Sequence, residues 1–270
     1  MSLPHALDRA PSLIALRRAA GRMLVALDFD GTLSPIVERP EDAALHGEVG
    51  DPLRRLADRP DTVVAIVSGR GLSDVRERVG LEALYYAGNH GFEIEGPGVD
   101  RVHPEAEPAR PELEACIAGL EEALADEPGT EVEDKRWTLS IHYRRAEREG
   151  AEARVRAAVE THCRRPGLRV TEGKKLFEVR PDVDWDKGRA TAFLLDVVAG
   201  DDEAPVRVPG SPRLPAIFIG DDRTDEDAFD VVEQIGGGIV VGDPPSDTRA
   251  VSWLRGPGEV AELIRRLADG

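Results

Sequence analysis

The sequence is poor in cysteine and in positive charge, and it has no long apolar run. Only two cysteines, Cys116 and Cys163, occur in 270 residues, and they lack metal-ligand spacing. They read as free, buried thiols in a reducing compartment. Basic residues number 35 against 52 acidic ones, a net charge of −17. That balance argues against a nucleic-acid partner, which needs a basic surface. It leaves room for a small phosphorylated substrate, which needs only a local cation. No run reaches membrane-spanning length. The N-terminal stretch, with His5, Asp8, Arg9, Arg17, Arg18 and prolines at 4 and 11, lacks the apolar core of a signal peptide. The expectation is a cytoplasmic protein with no membrane association. Three motifs are also missing. Gly173-Lys174 is followed by Lys175 and lacks the upstream glycine of a Gly-x-x-x-x-Gly-Lys-Ser/Thr phosphate loop. No Gly-x-Gly-x-x-Gly follows a strand, and no Gly-x-Ser-x-Gly elbow occurs. The Gly236–Gly238 run sits between a helix and a strand, the wrong order for a phosphate loop.

What is present is an apolar run, Met23-Leu24-Val25-Ala26-Leu27, leading into Asp28-Phe29-Asp30-Gly31-Thr32. The run reads as a buried parallel strand, which puts two carboxylates at its carboxyl end. Ligands of open α/β sheets bind at that edge. Alternate strand residues share a face, so Asp28 and Asp30 can point at one site. Gly31 permits a tight turn. Two carboxylates this close repel unless a cation or a shared proton intervenes. The chemistry suggested is a Mg²⁺-assisted aspartyl nucleophile with an acid/base partner. A strand ending in polar turn residues is the plainer alternative.

The hydrophobic content, 41%, suffices for a sizeable core. After a helix over 6–20, strands at 23–28, 62–67 and 84–87 alternate with helices at 48–58 and 72–79, the pattern of a parallel doubly wound sheet. A hairpin follows over 92–103. Residues 104–111 hold three prolines and read as a linker. Helix 111–126, strands near 130–134 and 137–144, helix 147–163 and strands near 168–172 and 174–180 suggest an inserted α+β module. The parallel pattern resumes with helix 187–199, strand 216–219, helix 225–234, strand 239–241 and a last helix near 258–268. The fold class expected is α/β: a doubly wound, Rossmann-like core over 1–107 and 183–270, with an α+β cap domain over 108–182. Residues 200–215 read as a surface loop.

Further polar clusters sit at strand and helix ends. Ser68-Gly69-Arg70 closes the second strand, where a hydroxyl and free N–H groups can hold phosphate, although Ser-Gly is also an ordinary turn. Asp186 reads as a helix N-cap. Lys187 then falls at the first helical position, against the helix dipole, which invites a functional reading beside that of a solvated lysine. Asp221 and Asp222 follow another apolar strand, where a second source of metal ligands is needed. Asp225, Glu226 and Asp227 are also explained as first-turn acids with Thr224 as N-cap. Oxygen-only ligands with few protein contacts suit Mg²⁺. In the module, Trp137, Leu139, Ile141 and Tyr143 alternate with Thr138, Ser140, His142 and Arg144. Phe177 and Val179 alternate with Lys174, Leu176, Glu178 and Arg180 on the other face. Each strand therefore has one apolar and one polar face, read either as a solvated sheet or as a surface that closes over a hydroxyl-rich ligand.

In this order, Asp28–Thr32, Ser68, Lys187 and Gly220–Asp225 resemble the four motifs of the haloacid dehalogenase superfamily of phosphatases. The insertion resembles the cap of its sugar-phosphatase branch. Gly88-Asn89-His90-Gly91, His142-Tyr143-Arg144, Gly173-Lys174-Lys175 with Glu178–Pro181, Asp186-Lys187-Gly188 and Gly220–Asp227 resemble the trehalose-6-phosphate phosphatase family. The resemblance runs over about residues 23–255. It implies that Asp28 attacks phosphorus to form an aspartyl-phosphate, and that Asp30 protonates the leaving oxygen and then activates water. Mg²⁺, with Mn²⁺ or Co²⁺ as substitutes, would be held by the Asp28 side chain, the Asp30 carbonyl and Asp221, with Asp225 behind them. Ser68 and Lys187 would hold the phosphoryl oxygens, while Asn89, His90, Arg144, Lys174 and Glu178 would meet the sugar. The implied reaction is hydrolysis of trehalose 6-phosphate, with a functional link to a trehalose-phosphate synthase. Kept beside it are another sugar phosphate (sucrose phosphate, a mannosylglycerate type or a broad range), a phosphotransferase or mutase, and a non-catalytic sensor or regulatory partner. The last would require loss of the nucleophile or the acid/base, and both are intact.

Overall fold

The computed structural model describes residues 3–173, 175–200 and 214–270. Lys174 and most of the loop expected over 200–215 lie outside the described residues. In chain order the elements begin α1 (Ala6–Ala20), β1 (Met23–Leu27), α2 (Gly50–Ala57), β2 (Thr62–Val67), α3 (Leu72–Val79), β3 (Tyr85–Gly88), β4 (Glu93–Gly96) and β5 (Val99–Val102). There follow α4 (Ala106–Leu124), β6 (Glu131–Asp134), β7 (Leu139–His142), α5 (Ala151–Cys163), β8 (Leu168–Gly173) and β9 (Leu176–Pro181). The chain closes with α6 (Lys187–Ala199), β10 (Ala216–Gly220), α7 (Glu226–Val232), β11 (Gly236–Val241), β12 (Ser252–Leu254) and α8 (Pro257–Asp269). Two compact units result, one of Met1–Asp100 with Trp185–Gly270 and one of Arg101–Asp184.

The first unit is built on a sheet of order β12-β11-β10-β1-β2-β3-β4-β5. It is parallel from β12 to β3, and β4 turns antiparallel on β3. All five residues of β1 are buried, which explains its unbroken apolar run. Met23, Val25 and Leu27 pack with Leu13 of α1, Leu53 and Leu56 of α2 and Leu263, Ile264 and Leu267 of α8. Leu24 and Ala26 face the other way, onto Ala190 and Leu194 of α6 and Phe229 of α7. Helices on both faces make this the doubly wound arrangement.

Two local expectations are corrected. The stretch 104–111 is not a linker, because α4 begins at Ala106 and contains Pro111. Pro108 falls in its first turn, where a missing N–H leaves no helical bond unmade. Gly236–Gly238 does not precede a strand but opens β11. A Cβ on Gly238 would lie 2.5 Å from the Phe229 ring, so glycine lets α7 approach the sheet. β12 escapes a reading by periodicity because it has three residues.

The second unit is a four-stranded antiparallel sheet of order β6-β7-β9-β8. Leu139 and Ile141 of β7 and Phe177 and Val179 of β9 pack against Leu113, Cys116 and Leu120 of α4 and Val155, Val159 and Cys163 of α5. Both cysteines are buried and free. No described helix is long and apolar enough to cross a membrane.

Candidate active site

Strand parity places the first carboxylate. Leu24 and Ala26 face α6 and α7, and Asp28 continues that alternation one residue beyond β1. Its N–H donates to the Ile219 carbonyl at 2.8 Å, so Asp28 is held against β10 before the chain turns away. Phe29 returns to the opposite core. Its carbonyl then accepts from the Leu33 and Ser34 N–H groups, both at 2.9 Å, which closes the turn around Gly31. Gly31 has φ +77°, and a Cβ there would lie 2.0 Å from Asp221 Oδ2. Glycine at this position therefore makes room for a carboxylate from the neighbouring strand.

Lys187 opens α6, and Asp186 caps that helix by accepting from the Arg189 N–H at 2.8 Å. The lysine is 3% exposed. Its Nζ donates to Asp28 Oδ1 at 2.8 Å and to Asp225 Oδ1 at 2.7 Å. The two anions offset a dipole term that is only ~0.3–1 kcal/mol. Asp225 is fully buried. It closes a 3₁₀ turn, Arg223–Asp225, whose N-cap is Asp222, and Asp225 itself, not Thr224, is the N-cap residue of α7. Asp225 Oδ2 accepts from the Asp222 N–H at 2.9 Å, so one carboxylate both caps a turn and pairs with Lys187.

One carboxylate oxygen each from Asp28, Asp221 and Asp225 lies within 4.8 Å of the others. Three acids share one lysine. Burial pushes the Asp28 carboxyl well above its ordinary range, against the pull of Lys187 and with Asp225 and Asp221 adding to the rise. Asp221 is pushed up to about 7, chiefly by burial and then by Asp225. Burial would lower Lys187, but Asp225 and Asp28 reverse this and keep the ammonium charged. The cluster is thus short of positive charge, and its donors are all oxygens. This chemistry fits a hard divalent cation.

The Asp30 side chain lies outside this cluster. It is gripped by Arg70, whose Nε and Nη2 donate to Oδ2 and Oδ1 at 2.6 and 2.8 Å. Ser68 is 1% exposed, and its Oγ accepts from the Arg70 N–H at 3.2 Å. The loop after β3 ties to the same segment. Asn89 N–H donates to the Arg70 carbonyl at 2.6 Å and His90 N–H to the Ser68 carbonyl at 2.9 Å. Asn89 and His90 both have positive φ, 51° and 57°, which is uncommon outside glycine and is held here by these bonds. Asn89 Nδ2 also donates to Glu93 Oε1 at 2.6 Å. Asp28, Asp30, Ser68, Asn89, His90, Lys187, Asp221 and Asp225 therefore all belong to the first unit, at or just beyond strand and helix ends.

In the second unit Glu178 sits in register between Ser140 of β7 and Thr171 of β8. Arg144 follows β7, beside Tyr143, whose N–H donates to the Lys175 carbonyl at 3.2 Å. His142 meets Glu133 at 3.0 Å on the polar face. Lys174, the remaining expected sugar contact, is outside the described residues. Sequence reasoning assigned no role to Arg70 or to the clearance at Gly31. Both depend on which strands are neighbours, and that is not written in any local pattern.

A family model described as Trehalose-phosphatase matches residues 26–252. A trehalose-phosphate phosphatase of Mycobacterium bovis is 44% identical over 268 residues, covering 98% of this chain and 64% of that protein. The chain thus spans less than two thirds of that relative's length. A probable trehalose-phosphate phosphatase of Oryza sativa is 43% identical, covering 98% of this chain and 74% of that protein. Among solved structures, the C-terminal domain of a Candida albicans trehalose-6-phosphate phosphatase matches with TM-score 0.80 and 25% identity, covering 99% of both chains. A haloacid dehalogenase-like hydrolase from Bacteroides thetaiotaomicron matches in fold, with TM-score 0.60 and 16% identity over 91% of this chain and 99% of that one.

Proposed function

The chain belongs to the trehalose-phosphatase family, and from that premise we propose that it hydrolyses trehalose 6-phosphate to trehalose and phosphate through an aspartyl-phosphate. The observation that carries the proposal is Lys187, buried and bonded to both Asp28 and Asp225 beside Asp221. A nucleophilic carboxylate and a phosphate dianion repel. A fixed ammonium in a desolvated site offsets that repulsion with no reorganisation during the reaction.

In the first step an Asp28 carboxylate oxygen forms the bond to phosphorus as the phosphorus–sugar oxygen bond breaks. Asp30, as the acid, gives its proton to the departing sugar oxygen. In the second step Asp30 takes a proton from water, whose oxygen attacks phosphorus. Inorganic phosphate leaves, and the Asp28 carboxylate and Asp30 acid are regenerated. Ser68 and Lys187 hold phosphoryl oxygens by hydrogen bonds. Mg²⁺, held by the Asp28 side chain, the Asp30 carbonyl and Asp221 with Asp225 behind them, would neutralise charge on the phosphoryl group. Asn89, His90, Arg144, Lys174 and Glu178 supply donors and acceptors suited to sugar hydroxyls.

The test is phosphate release from a panel of sugar phosphates with Mg²⁺, comparing wild type with Asp28→Asn. Preference for trehalose 6-phosphate, lost in the variant, is the expected result. Equal activity across the panel would overturn the substrate. Undiminished activity of Asp28→Asn would overturn the nucleophile.

A further inference from the structure

Arg70 carries more contacts than a turn residue needs. Its side chain is 8% exposed, whereas that of Asp30 is 44% exposed. Nε and Nη2 hold the two oxygens of Asp30. Nη2 also donates to the Pro40 carbonyl at 3.0 Å, and Nη1 donates to Asp74 Oδ2 at 2.8 Å. Asp74 is steadied in turn by Arg78 Nε at 2.8 Å. The guanidinium carbon stands 5.4 Å from the centre of the Phe29 ring. The backbone of Arg70 is fixed as well, with its N–H on Ser68 Oγ and its carbonyl on the Asn89 N–H. A planar fork anchored on four sides can orient a carboxylate in a way that a single ammonium cannot.

We propose that Arg70 is a positioning residue that sets the side chain of Asp30 for proton delivery to the leaving sugar oxygen. This rests on the reading of Asp30 as the proton donor. Nothing else in the immediate turn holds that side chain. Backbone bonds close the turn over residues 29–34 and Lys187 holds Asp28, while the Asp30 side chain sits at the exposed edge. Without the fork Asp30 loses its direction. It also loses a cation that favours the ionised carboxylate, so a slower proton delivery in its absence reports lost placement and not a weaker acid. A small misplacement of a catalytic group is enough to cost about 10²-fold in rate.

The experiment compares the bond-breaking half of the reaction for two leaving groups. Rapid mixing measures phosphoenzyme formation from trehalose 6-phosphate, whose alkoxide needs a proton. It also measures the burst of p-nitrophenol from p-nitrophenyl phosphate, whose phenolate does not. Arg70→Met is expected to slow the first by about 10²-fold and the second by less than about 3-fold, the same selective pattern as Asp30→Asn. The double variant Arg70→Met/Asp30→Asn should be no slower than Asp30→Asn alone. Arg70→Lys and Asp74→Asn should fall between wild type and Arg70→Met, and their intact p-nitrophenol burst reports a folded site. Equal slowing with both substrates, or additive losses in the double variant, would overturn the proposal in favour of a structural or phosphate-binding role. If Asp30→Asn shows no leaving-group selectivity while the wild type is active, it is the underlying reading of Asp30 that fails.

Discussion

Replacing Lys187 by methionine removes the buried ammonium but keeps an unbranched side chain of similar reach. The change strips Asp28 and Asp225 of hydrogen bonds at 2.8 and 2.7 Å. Bonds of this charged kind contribute ~1.5–3 kcal/mol each, and removing one partner of a buried ion pair typically costs ~3–5 kcal/mol. Of the two abandoned carboxylates, Asp28, which burial already raises and Lys187 pulls down, can escape part of that penalty by taking up a proton. Holding one neutral costs about 1.4 kcal/mol for every pH unit above its ordinary value near 3.9, or about 4 kcal/mol at pH 7. The expected loss is therefore about 3–5 kcal/mol at pH 7, shrinking by up to about 1.4 kcal/mol per unit between pH 7 and pH 5. The sign follows from proton counting. In the variant the folded state binds more protons than the unfolded chain over this window, so its stability falls as pH rises. In the wild type the lysine's folded value is raised, so its contribution is complete below the unfolded lysine value and lost only in strong alkali. Urea unfolding in EDTA at pH 5, 6, 7 and 8 measures both. Asp225→Asn added to Lys187→Met should recover part of the loss. A destabilisation below about 1 kcal/mol, or one unchanged from pH 5 to 8, would refute the view that the ammonium compensates two buried acids.

Three further outcomes follow from the same geometry. Gly31→Ala should lower divalent-cation affinity at least about tenfold by calorimetry, since its Cβ would fall 2.0 Å from Asp221 Oδ2. Gly21→Ala, at φ +76° with nothing within 4 Å, is the control. It should show only backbone strain of ~1–2 kcal/mol and unchanged cation binding. Because Asp221 is pushed up to about 7, the metal-free protein should lose stability as pH rises from the ordinary carboxylate range toward neutrality. Cation affinity should rise over the same window by up to about tenfold per unit, as one proton is displaced. Affinity that is flat between pH 5 and 7 would show that no such proton is held.

The fold was legible where one element could be read alone. β1 is buried on both faces, so its apolar run announces it, and the polar residues that follow mark the sheet edge. Asp186 was legible as a cap because capping is a local bond. Prolines misled over 104–111: Pro104 precedes α4, Pro108 falls in its first turn, where a proline loses no helical bond, and Pro111 lies inside the helix. Thr224 misled in the same way. A threonine before acids is a good cap by type, but Thr224 lies inside the 3₁₀ turn that Asp222 and Asp225 close, and Asp225 takes the N-cap position of α7.

The site divides along the same line. That Asp28 and Lys187 matter could be inferred from residue type and placement, because a lysine at a helix N-terminus opposes its own electrostatics. Their contact spans 159 positions of sequence and exists only because β1 parity and the start of α6 share one side of the sheet. Arg70 has no such local anomaly. An arginine after Ser-Gly is ordinary, and its meaning comes from β2 lying beside β1, which sets its fork against Asp30 across 40 residues. The legible part of an active site is thus the part that violates a local preference. The part that satisfies every local preference, and still aims another residue, is found only once neighbouring strands are known. If that distinction holds, Lys187→Met should change stability and pH dependence together, while Arg70→Met should change leaving-group selectivity.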